Sequence, residues 1–360
     1  MPAETDTLCG YSLADVRASL RTSIDRRDAR AAHRWTAELV ATPGAVGSLW
    51  ASYWMAWAQG ASAASPTLPI LLKQSWTEIA AKAHALGDWV AFRNDTDVRS
   101  TAADMTIRLL TQARQTPVVW PSKELILYDV GTMRENPTPV AADGPVVLAV
   151  WQRNDDAMEL RMMAGRWLTF LESGDLRAAL SAVAWTLLPQ AQQGLALPLK
   201  VAARGPASVG TAKAASSPLW FWLEVGRRWL LQRPTLHRGW HTMNSAITEA
   251  FQQNYRRWSS VDRMRLLLAW ILQLRASLLP QPADLWTAAP VHLQGSEIDL
   301  PYKEVAAELA DPQTAIQVAS TKKTEKAQKP KDATATRAEA KMAEADALIY
   351  AKMGLTDADI

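Results

Sequence analysis

The chain has 360 residues, of which 48% are hydrophobic and 21% charged, a composition that supports a sizeable buried core and excludes a wholly disordered polymer. A formal net charge of +3 excludes a chain built throughout for polyanions. The single cysteine, Cys9, excludes an internal disulfide and a CxxC-type zinc site.

Residues Met1 to Thr7 are polar and acidic, without the basic start and apolar run of a signal peptide, so a soluble intracellular protein of a reducing compartment is expected. Among the aromatics, 17 Trp stand against 6 Tyr and 4 Phe. The apolar anchors are therefore mostly indoles, each needing packing area and a partner for its N–H.

Nearly all predicted elements are helices. Ser12 with Asp15 three residues on has the capping-box pattern, and Val16, Leu20 and Ile24 follow at four-residue spacing, which predicts a helix over 13–26. Asp28 then caps a second helix whose Ala31, Ala32, Trp35 and Leu39 form one stripe, stopped by Thr42-Pro43-Gly44. Trp50, Tyr53, Trp54 and Trp57 recur at i, i+3, i+4 and i+7, placing four rings on one helical face. That face lies in Leu39 to Leu72, a 34-residue stretch without a charge. Ser, Gln, Gly and three Pro dilute the stretch, so the reading is a buried helix and membrane insertion is not expected.

Periodicity predicts further helices over 69–86, 96–115, 157–173, 176–188, 219–232, 242–257, 260–279 and 303–310. Strand-favouring runs are confined to Val118–Trp120, Leu125–Tyr128 and Val146–Trp151, which allows at most a small β-hairpin in 117–152. The expected fold class is thus all-α, with two bundle-like units over 10–188 and 219–310 joined by a Pro-, Gln-, Gly- and Ser-rich connection over 189–218. From Ser320 the composition becomes that of a solvated linker, expected to be disordered over 320–335. Beyond it, over 336–354, Met342, Ala345, Ile349 and Met353 form one stripe ending near Gly354. A short amphipathic helix there would lay this stripe into a groove, on this protein or on a partner.

The stretch Asp28-Ala29-Arg30-Ala31-Ala32 matches Asp175-Leu176-Arg177-Ala178-Ala179 at an offset of 147, each copy linking two predicted helices. A duplication and convergence on a tight helix–helix turn both account for it. The first copy, with Leu20, Ser23, Ile24, Asp28, Ala31, Ala32, Trp35 and Leu39, resembles the helical C-terminal collar of clamp-loader-type AAA+ ATPases of the group acting at stalled replication forks. The likeness covers about 50 residues. No G-x-x-x-x-G-K-[ST] occurs in the chain, so the resemblance implies an oligomerisation module without the family's ATPase.

Charge taken in blocks is more informative than the total. Residues 220–275 carry 9 basic side chains, all Arg, and 3 acidic ones, whereas 276–319 carry 1 basic and 6 acidic. In the first block Arg227, Arg228, Arg256, Arg257, Arg263 and Arg265 interleave with Trp220, Trp222, Trp229, Trp240, Tyr255, Trp258 and Trp270. Guanidinium forks suit phosphates and exposed rings stack on unpaired bases, so nucleic acid or an acidic partner could contact these arginines. The competing reading has the tryptophans in the core and the arginine heads on an acidic surface such as 276–319.

His237 and His241, four apart with Glu249 beyond, have incomplete metal-ligand spacing. Asp95, Asp97, Asp155 and Asp156 precede helical runs and read as caps. Cys9, in a terminus expected to be mobile, reads as an ordinary free thiol. No catalytic group, metal or cofactor is therefore assigned. The leading functional expectation is a non-enzymatic scaffold or adaptor with a protein partner or a second copy, in DNA replication or repair. A structural component of a large assembly such as a virus particle, and an enzyme with an unrecognised motif, are the alternatives.

Overall fold

The structure, a computed structural model, describes residues 6–60, 64–113, 118–121, 144–152, 154–187, 199–280, 285–286, 291 and 295–310. In these the fold is all-α. The helices are α1 (Leu13–Arg26), α2 (Ala29–Ala41), α3 (Val46–Gly60), α4 (Leu68–Leu86), α5 (Trp89–Asn94), α6 (Thr96–Thr111), α7 (Pro145–Val150), α8 (Met158–Ser173), α9 (Leu176–Leu187), α10 (Ala212–Ala215), α11 (Pro218–Leu231), α12 (Arg238–Asn254), α13 (Ser260–Ala276) and α14 (Gly295–Ala310).

The expected hairpin is not formed where it can be followed. Val146–Val150 lie in α7, opened by Pro145 in its first turn, and Val118–Trp120 form no strand. A proline pre-set at φ near −65° suits a helix start, and Val146, Val147 and Val150 are all buried at helical spacing. Leu125–Tyr128 lie outside the described residues, as does the terminal stripe of Met342, Ala345, Ile349 and Met353.

Local chemistry explains most helix boundaries. Asp28 accepts from the Ala31 amide at 3.0 Å, Asp95 from Val98 at 3.0 Å, and Asp88 from Ala91 at 2.8 Å, the last opening the unpredicted α5. Ser12 sits at the α1 N-cap but makes no side-chain cap bond, so the capping-box expectation fails there. The two matching Asp-x-Arg-Ala-Ala segments form the same device. Arg27 (φ 57°) and Gly174 (φ 87°) are left-handed, and the following aspartate caps the next helix, Asp175 onto Ala178 at 2.9 Å.

Asp156 departs from its expected role. The α8 N-cap is Ala157, with no side-chain cap, while the fully buried Asp156 carboxylate takes Arg204 Nη1 at 2.8 Å, Nη2 of the same guanidinium, the Ala202 amide at 2.8 Å and the Gln152 amide at 2.7 Å. Burial alone would raise this carboxyl, but Arg204 and the two amides hold it below the usual carboxylate range. The C-terminal part of the expected connection, from Leu199, is thereby fixed to the body.

The stretches 10–188 and 219–310 share one core. Trp167 of α8 stacks on Trp270 of α13 (5.9 Å between centroids) and meets Trp222 of α11 edge-on at 5.4 Å. On α3, Trp50, Tyr53, Trp54 and Trp57 are all buried. Partners for the polar atoms come from the surrounding backbone, as in Trp50 Nε1 to Leu72 O at 3.1 Å and Trp57 Nε1 to Ser65 O at 3.2 Å. Tyr53 Oη bonds Thr106 at 2.8 Å, Thr36 at 3.1 Å and Ala102 O at 3.1 Å, tying α2, α3 and α6 together. Around α3 the core is thus held by hydrogen bonds as well as by area.

Packing is close at Gly226 of α11, where a Cβ would stand 2.3 Å from Trp270 Cζ2 and 2.9 Å from Leu274 Cδ1. Gly226→Ala gains about 1 kcal/mol of helix propensity but overpacks a rigid indole at about 1–3 kcal/mol. A net loss of stability in urea unfolding is expected, and a gain would show that Trp270 is free to move.

Candidate functional site

The arginine block divides into paired and open members. Arg227 and Arg228 both hold Glu224, Arg227 with Nε at 2.8 Å and Nη2 at 2.6 Å, Arg228 with Nε at 3.0 Å. Arg233 covers the Trp229 ring at 3.9 Å and pairs with Glu172. Arg263 lies 4.2 Å from the Tyr255 ring centroid and donates to Tyr255 O at 3.0 Å. Arg256 and Arg257 diverge: Arg256 Nε donates to Val209 O at 3.2 Å, whereas the Arg257 guanidinium lies against Gly47 in the first turn of α3. The heads of Arg228, Arg256, Arg257 and Arg265 are exposed.

The tryptophans do not form a stacking platform. Trp220, Trp222, Trp229, Trp240, Trp258 and Trp270 are each at most 4% exposed, so the block cannot stack unpaired bases on them. Its indoles belong to the core, because each sits on the inward side of α11, α12, α13 or the turn after α12.

Nor, among the described residues, do the acids of 276–319 cover the arginine heads. Among the described residues, Asp299, Glu304 and Glu308 of α14 pair instead with Arg99, Arg30 and Arg34 of α6 and α2. Geometry decides this, since α14 packs on α2 and α6 through Val305, Ala37 and Ala41.

An arginine cluster missed by the sequence reading joins the block from α1. Arg21 Nη1 and Arg265 Nη1 share Asp262 Oδ1 at 3.4 and 3.5 Å. Arg17 lies within the field of Arg21, Asp262 and Arg257, and its pKa is lowered, first by burial and then by the Arg21 charge. Arg21 of α1 and Arg265 of α13 thus hold the Asp262 carboxylate, and Arg17 of α1 lies within reach of its charge and of the Arg257 charge from the turn before α13. Asp262 also accepts from Ser259 Oγ at 3.0 Å. The sequence signal was the like-charged pair Arg17 and Arg21 at i, i+4, unfavourable in an isolated helix.

The remaining candidates resolve as structural groups. His237 Nδ1 accepts from the Gly239 amide at 3.0 Å and its ring stacks on Trp286 at 5.2 Å, while Glu249 takes Lys73 Nζ at 2.5 Å. Among the described residues no three His, Cys, Asp or Glu side chains group for a metal. Asp95 and Asp97 both bind Lys82, at 3.2 and 2.7 Å. Cys9 is anchored, not mobile: its amide donates to Glu38 Oε1 at 2.9 Å. Burial, then Glu38 and Glu308, push its thiol up to about 12, which leaves it protonated and non-nucleophilic at neutral pH.

Comparison with known proteins returned no match. No family model, curated protein or solved structure is significantly similar to this chain. No described helix is long and apolar enough to cross a membrane.

Proposed function

We propose that this protein is a non-enzymatic helical scaffold or adaptor whose arginine face docks an acidic partner. The observation that carries the reading is the placement of α14. Its carboxylates engage arginines of α2 and α6, leaving Arg228, Arg256, Arg257 and Arg265 exposed, of which Arg257 and Arg265 add positive potential beside Arg17 and Arg21 of α1. The α1–α2 hairpin, with its collar-like sequence, is the second contact module in this reading, which places the protein among assemblies of DNA replication or repair.

The test is retention of the full chain on a polyanionic matrix. Elution should be salt-sensitive between about 50 and 200 mM. Replacing Arg228, Arg256, Arg257 and Arg265 together by Ala should bring it markedly earlier. Arg30→Ala is the control, since Arg30 is also exposed but lies beside α14, paired with Glu304. If the fourfold variant elutes with the parent, the docking face is elsewhere.

A further inference from the structure

The geometry points to a phosphate-group site built by Arg17, Arg21 and Arg257 where α1 and the turn before α13 meet the first turn of α3. This inference rests on the arginine-face reading and assigns it a ligand chemistry.

Three independent features converge there. First, the Nε–H of Arg17 is enclosed and meets no acceptor among the described residues, although buried donors are almost always satisfied and an unmet one is costly. Second, positive charge exceeds negative: the cluster's carboxylate, Asp262, is shared by Arg21 and Arg265 at 3.4–3.5 Å, and Arg17, attracted by Asp262, is repelled by both Arg21 and Arg257. Third, Arg257 is held in place. It bonds Asn254 Oδ1 at 3.4 Å, and its guanidinium rests on Gly47, where a Cβ would stand 2.9 Å from Nη1. The absence of a side chain at Gly47 lets the guanidinium approach the positive end of the α3 dipole, an arrangement that concentrates positive charge for an anion to neutralise.

A phosphate fits this better than a carboxylate. The guanidiniums come from two elements, Arg17 and Arg21 from α1 and Arg257 from the turn before α13 at the first turn of α3. A tetrahedral phosphate supplies several acceptor oxygens in different directions, whereas a carboxylate offers two in one plane. Because the neighbouring indoles are buried, recognition would go through phosphate and not through bases. For a nucleic acid that means backbone binding without sequence preference.

The experiment uses the full chain. Affinity for a mixed-sequence DNA duplex is measured against salt, and thermal protection by pyrophosphate is measured against sodium chloride at equal ionic strength. Arg17→Gln and Arg257→Gln should each lower the salt slope by about 1 and abolish protection by pyrophosphate. Arg257→Gln changes an exposed side chain, so the test survives if Arg17→Gln folds poorly. Gly47→Ala, which displaces the guanidinium without changing charge, should weaken binding several-fold.

Duplex binding with these dependences identifies a nucleic-acid backbone as the source of phosphate. Pyrophosphate protection alone identifies a small phosphorylated ligand at the same site. The inference is overturned if the Gln variants match the parent in both assays, or if polyglutamate binds through Arg17 while pyrophosphate does not protect. Arg228→Ala with Arg256→Ala, outside the cluster, separates the two levels. Loss of polyanion binding in that pair alone sinks the phosphate site and keeps the docking face, and no polyanion binding by the parent sinks both.

Discussion

Truncating Trp54 to Ala should remove about 3–5 kcal/mol from the free energy of unfolding. Its ring is 3% exposed and meets Trp57 edge-on at 6.0 Å and 88°, on the α3 face that the rest of the fold covers. The loss combines transfer of an indole with the cavity left behind, and relaxation is limited because Trp50, Tyr53 and Trp57 on the same face are each anchored by hydrogen bonds. Urea unfolding of the full chain measures it. A loss below about 1 kcal/mol would mean that this face yields or is partner-facing, contrary to its burial.

Asp156→Ala should cost a similar amount, about 3–5 kcal/mol, because it strands the Arg204 guanidinium in the interior. The side chains are 0% and 10% exposed, and Arg204 also lies 5.3 Å from the Phe221 ring centroid. Removing both charges is different. Asp156→Ala combined with Arg204→Met should recover part of the loss, since an apolar pair of similar volume carries no uncompensated ion. The effect also has a pH signature. The folded-state pKa of Asp156 is depressed, so its contribution is complete above the unfolded value of about 3.9 and disappears as pH falls through the folded value. Parent and Asp156→Ala should therefore converge in stability on acidification, and a constant gap down to pH 2 would exclude the carboxylate as its source.

What could be read from the chain alone was whatever depends on near neighbours. The α1 and α2 boundaries, the Asp28 and Asp95 caps and the buried Trp50–Trp57 face follow from spacing and turn chemistry within a few residues. The short α5 was missed, because six residues are too few for a periodic signal. Asp156 was misread for a related reason: its helix-start position is a local fact, but its partners Ala202 and Arg204 come from a segment whose composition looks like an open linker. The candidate site was legible only in half. Arg257 and Arg265 stood out by composition, whereas Arg17 and Arg21 join them across more than two hundred positions of chain, a relation that no window of sequence contains.

That distance also bears on how the protein is made. The indole-bearing helix α3 is covered in part by α13, which leaves the ribosome about 200 residues later, and at about 5–20 residues per second the delay is tens of seconds. During it, a face of Trp50, Trp54 and Trp57 without a charged neighbour from Leu39 to Leu72 lacks its final cover. Such a nascent chain is a natural client for holding chaperones, and its yield in cells should depend more on translation speed and chaperone supply than on the stability of the finished fold.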